Sequence, residues 1–131
     1  MVEGLAMKDL AALVLGASLF TAGAFADQAS GPVILQPADG ATVASPVTVE
    51  FTMGAGMAPG AHLHLIVDSP LPAPGAIIPM DSKHIHLMHG ETRKTVNLPP
   101  GPHTLQLIEG TMGHQVTADA PHSDKVTIDV K

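Results

Sequence analysis

Apolar and polar residues alternate with a period of two along much of the chain after residue 30, and Pro or Gly breaks the pattern every few residues. That period belongs to a strand with one buried face, because successive side chains leave a strand on opposite sides. Val47, Val49 and Phe51 fall on one side of such a run, with Thr48, Glu50 and Thr52 on the other. Near the C-terminus Val126, Ile128 and Val130 alternate with Thr127 and Asp129 in the same way. Strands are predicted over residues 33–36, 47–53, 62–67, 84–88, 92–98, 103–108 and 125–130, each bounded by turn sequences such as ADGA, PPGP or EGTMG. No window of a dozen residues keeps a helical period unbroken. Seven short strands in about a hundred residues predict an all-β fold, a small immunoglobulin-like antiparallel β-sandwich, with a partly closed barrel as the alternative. Residues 68–80 (DSPLPAPGAIIPM) hold four prolines, which rule out a central strand and predict a stiff connection.

The first residues follow a different pattern. Residues 10–25 (LAALVLGASLFTAGAF) are apolar or small and uncharged, too short a run for the roughly 20 residues a membrane-spanning helix needs. They lead into Ala24-Phe25-Ala26 before Asp27, with small residues where a signal peptidase reads. A signal peptide is therefore expected over residues 1–26, leaving one β-sandwich domain over 27–131 in the periplasm or secreted, without stable membrane insertion. Lys8 stands against Glu3 and Asp9, and a start at Met7 would give the leader a more usual charge.

From residue 27 onward five Lys and Arg face ten carboxylates, a net charge of 5 − 10 = −5 with His neutral. Nucleic acid and anionic membrane surfaces need clustered positive charge, so neither is an expected partner. The absence of Cys excludes disulfides and a closed Cys-type zinc site. The absence of Trp and Tyr removes the usual stacking platforms for sugars and bases. The serines sit in no nucleophile elbow, and the chain has no phosphate loop and no HExxH helix. The expectation is a protein that is not an enzyme, with metal-dependent hydrolysis as a minor alternative.

Against these absences, the chain carries eight His and seven Met. His62-Leu63-His64-Leu65 puts two imidazoles on one face of a strand and two leucines on the other; His84-Ile85-His86-Leu87 does the same. If the two strands are neighbours, four imidazoles gather on one polar face. His103 shares parity with Leu105 and Leu107 and belongs at the mouth of the core side, and His114 follows one turn beyond that strand. A site at the end of the sandwich could draw on both. Asp68 after the first pair and Asp81 before the second are each placed to orient an imidazole. Neutral imidazole suits copper, zinc and nickel, and the thioethers favour copper, since soft sulfur selects Cu(I). Met57, Met88 and Met112 are the thioethers best placed to help, whereas Met53 and Met80 read as packing.

The motifs HLHLIVD (62–68), PLP (70–72), IPMD (78–81) running into HIH (84–86), LPPGPHTLQL (98–107) and then His114 occur in an order that resembles an exported bacterial family, domain of unknown function 4399. The resemblance covers residues 56–130. It implies family histidines at His62, His64, His84, His86, His103 and His114. The chain departs from the family pattern at Met57-Ala-Pro-Gly60, at Met88-His89-Gly90 and in the residues just before His114. The expected function is a periplasmic metal-binding protein, for copper as Cu(II) or Cu(I) with zinc the lesser alternative, exchanging the ion with a periplasmic protein partner. His62, His64, His86, His103 and His114 are the main ligand pool, and His84 either joins them or orients a neighbour. The competing expectation is a non-catalytic structural or protein-interaction domain of the cell envelope whose histidines make hydrogen-bond networks.

Overall fold

Eight strands form in the computed structural model, which describes residues 31–88 and 90–131; the signal peptide expected over 1–26 lies outside the described residues. They are β1 (Val33–Gln36), β2 (Thr42–Val43), β3 (Val47–Thr52), β4 (His62–Val67), β5 (His84–His86), β6 (Arg93–Val96), β7 (Gly101–Gly110) and β8 (Val126–Val130). One sheet has the order β1-β3-β6 and the other β2-β8-β7-β4-β5. The all-β, two-sheet expectation holds, and no barrel closes among the described residues. The strand count and the purely antiparallel pairing need correction, because β2 is added and runs parallel to β8. Two residues are too few to show a period. β2 exists because its flanking backbone bonds to β8, with Asp129 N–H donating to Ala41 O at 2.9 Å and Lys131 N–H to Val43 O at 3.0 Å. Among the described residues no helix is long and apolar enough to cross a membrane.

The main core lies between the sheets and takes one side of each alternating strand. Val47, Val49 and Phe51 of β3 meet Leu63, Leu65 and Val67 of β4, Leu105 and Leu107 of β7, and Val126, Ile128 and Val130 of β8. Side chains of this kind each contribute about 1.5–3 kcal/mol when fully buried, so this alternation is the principal determinant of the fold.

The other face of the five-stranded sheet is also covered, which corrects the expectation of an open polar face. Ile66 of β4 and Ile108 of β7 pack there with Ile78 and Val116 in a second apolar cluster. The cover is the proline-rich connection, held to the loop after β7. Ile78 N–H donates to His114 O and Gly75 N–H to Val116 O, each at 2.7 Å, and Val116 N–H donates to Ala76 O at 2.9 Å. The prolines stiffen the connection without making it a sheet strand, and its remaining amides bind the second loop. β4 is consequently enclosed on both faces from Leu63 to Val67. An imidazole on its outer face is therefore an interior group.

Candidate metal centre

Two pairings bring the histidine strands together. β4 and β5 are antiparallel neighbours, with His64 directly opposite His86 and Ile66 opposite His84. The four imidazoles of these strands thus do share one face. His114 comes from the loop after β7 and is delivered to that face by the cover. Its backbone takes a left-handed conformation, φ 65°, a state that costs a residue other than glycine of order 1 kcal/mol or more. The turn that holds it is tied at 2.8 Å by His114 N–H donating to Thr111 O and at 2.9 Å by Thr111 N–H donating to Gln115 O.

The result is a nest of four rings. His86 has its centroid 4.9 Å from His62, 5.1 Å from His64 and 5.0 Å from His114, and His64 lies 5.2 Å from His114. His64 Nε2 and His114 Nδ1 are 3.1 Å apart. One ligand atom from each of His64, His86 and His114 lies within 4.8 Å of the others, a group able to hold a metal ion. Two imidazole nitrogens about 2.0–2.1 Å from one tetrahedral ion stand about 3.4 Å apart. The closest pair is a hydrogen bond, in which one of the two nitrogens donates, so that ring must move its proton to its other nitrogen before both can face one ion. Gly110, opposite His62 on β7, makes room for this approach. A Cβ there would lie 3.2 Å from His64 Cε1 and 2.9 Å from Ile78 Cδ1.

Hydrogen bonding and charge both fit an ion. His62 Nδ1, His64 Nδ1 and His86 Nε2 are buried with no hydrogen-bond partner, the orphan nitrogen of His64 being the one that does not face His114, and an unsatisfied buried polar group typically costs about 1–3 kcal/mol. Burial, followed by repulsion from His86, His114 and His62, pushes the His64 imidazole down from 6.5 to about 4. His86 is lowered as well, first by burial and then by His62 and His114. Both rings are neutral at pH 7, the state in which imidazole offers a lone pair to a metal.

The remaining predicted residues lie elsewhere or have other partners. His84 is beside the nest, its Nδ1 2.6 Å from Asp81 Oδ1, and that hydrogen bond is the main reason Asp81 is held below the usual carboxylate range. His103 sits at the start of the ten-residue β7 and His114 beyond its end, so the two share no site. Both nitrogens of His103 are engaged, Nδ1 with Asp68 Oδ2 and Nε2 with Pro99 O, each at 2.7 Å. Asp81 thus orients an imidazole of the pair it precedes, whereas Asp68 orients His103 and not the pair it follows. Met80, read as a packing residue, is 83% exposed. It lines an open cleft of about 360 Å³ together with Asp81, His84 and the His64, His86 and His114 triad. Met57, read as a thioether placed to help hold copper, packs against the main core. Gly110 carried no readable signal, because its role depends on what β4 places opposite it.

A family model described as "Domain of unknown function (DUF4399)" matches residues 42–131. The chain belongs to this family. The DUF4399 match spans β2 to β8 and so includes both histidine strands, the proline-rich cover and His114. Among solved structures the chain is similar to the fibronectin(III)-like modules of Clostridium thermocellum CbhA, at 14% identity over 76% of this chain and 95% of that chain, with a TM-score of 0.48. No curated protein matches it at a significant level.

Proposed function

We propose that this DUF4399 domain is an exported copper-binding protein that buffers the ion or passes it to a periplasmic protein, without turning over a substrate. The observation that carries the reading is the convergence of His64, His86 and His114, with ligand atoms within 4.8 Å of one another on a buried face. Rigid elements hold two of the three: a central strand and its neighbour. The third sits on a turn tied by backbone hydrogen bonds, which lowers the ordering cost of binding. His62 adds a fourth ring to the nest and either completes the coordination or packs against it.

Copper is favoured over zinc by the donor set. Imidazole is an uncharged donor, so the bound ion keeps its full charge in a partly buried place. Burying one positive charge is less costly than burying two, which favours Cu(I). Imidazole also ligates Cu(II) well, so the site can accept either oxidation state.

The test is titration of the metal-stripped protein with Cu(I) under reducing conditions, Cu(II) and Zn(II), by calorimetry with elemental analysis after desalting. One tightly held copper is expected, weakened by more than about tenfold by His64→Ala or His86→Ala, since each removes a ligand and loss of an outer partner alone costs about 10-fold to 100-fold, and unaffected by His122→Ala. Loss of all metal on desalting would refute the reading and redirect attention to an envelope interaction domain.

A further inference from the structure

The cleft beside the nest carries donors that the inner triad does not use. It runs from His64, which is 2% exposed, out to Met80, which is 83% exposed. His84 lines it as well. The Asp81 carboxylate can only accept a hydrogen bond, so His84 Nδ1, 2.6 Å away, carries the ring proton and donates it. That bond leaves Nε2 as the ring nitrogen turned to a metal, and no hydrogen bond to it comes from the described residues. A carboxylate holding Nδ1–H is the usual device for orienting a metal-binding imidazole. The pair is fixed by its own turn, with Lys83 N–H donating to Asp81 Oδ1 at 3.0 Å and His84 N–H to Asp81 O at 3.2 Å. The Met80 thioether in the same cleft is a soft donor of the kind that selects monovalent copper.

We propose that Met80 and His84 form a second metal station at the open side of the cleft, which takes up Cu(I) and hands it to the inner histidine centre. One nitrogen and one sulfur make a two-ligand site with open positions, suited to acquiring an ion from a donor and releasing it inward. The inner triad shares the same cleft, so the ion has a route that stays on protein ligands. The hand-over rests on reading the inner centre as a copper site, whereas the station stands on its own donors.

The experiment is anaerobic Cu(I) titration of the protein against a chromophoric Cu(I) chelator, with stopped-flow loading and X-ray absorption at each equivalent. Met80→Leu, His84→Gln and His86→Gln are compared with the parent, and circular dichroism confirms folding. The parent should take a tight first and a weaker second equivalent, with sulfur scattering confined to the second. Met80→Leu should remove the second equivalent and its sulfur signal and slow loading of the first, leaving first-site affinity unchanged. In His86→Gln a weak, sulfur-ligated Cu(I) should persist. Unchanged stoichiometry and loading rate in both Met80→Leu and His84→Gln would overturn the station. A parent that binds a single weak, sulfur-ligated Cu(I), insensitive to His86→Gln, would instead overturn the inner centre and leave the station standing. A parent that binds no copper would overturn both.

Discussion

Acid should destabilise the metal-free domain through His64 in a way that a single substitution isolates. The imidazole is pushed from 6.5 to about 4 by burial and by the three neighbouring rings. A folded-state pKa below the unfolded value means that the unfolded chain binds more protons in the interval between them. Stability is therefore complete above pH 6.5 and is lost as pH falls toward 4. At 1.36 kcal/mol per pH unit the full shift corresponds to about 3 kcal/mol, and water in the adjoining cleft reduces this to about 2 kcal/mol. Glutamine at position 64 never ionises and offers polar atoms in a similar place. His64→Gln should consequently lose about 2 kcal/mol less than the parent between pH 6.5 and 4, since every carboxylate contribution cancels in the comparison. Urea unfolding in the presence of chelator at several pH values supplies the measurement. Parallel stability curves for the two proteins would refute the electrostatic account of the nest.

Two further outcomes are expected. The imidazole of His103 is raised, first by its hydrogen bond to Asp68, and only the doubly protonated ring can donate to both Asp68 and Pro99 O. Its contribution is complete below pH 6.5 and is lost as pH rises through the raised value, so Asp68→Asn should cost about 1.5–3 kcal/mol at pH 6 and less at pH 9, read by thermal unfolding. Gly110→Ala would place a methyl 2.9 Å from Ile78 Cδ1 and 3.2 Å from His64 Cε1. It should destabilise the fold by about 1–3 kcal/mol and weaken copper binding more than an alanine at exposed Gly113 does, by calorimetry.

The parts of this molecule that were legible in advance are those set by local alternation. β3 and β8 read directly because every second side chain enters the main core, and the HLHL and HIHL runs revealed which of their faces carries imidazole. The parity of His103 was likewise correct, but its acceptors, Asp68 and Pro99 O, come together only through β4 and the turn before β7. β2 escaped notice because two residues paired to a distant strand have no period. The enclosure of the histidine face was hidden for a related reason. Nothing in DSPLPAPGAIIPM states that it folds back over β4, and only its hydrogen bonds to residues 114 and 116 bring Ile78 over the sheet and His114 to His64. Neighbouring strands explain the pair His64 and His86, and a loop-to-loop contact explains the placing of His114.

Imidazole NMR of the protein during Cu(I) addition addresses the central claim most directly, because it reads every histidine at once. The ring signals of His64, His86 and His114 should move together and reach their end point at the first equivalent, while those of His103 stay fixed. Movement of His103 with the nest rings still, or no movement of any ring, would contradict a copper centre on this face.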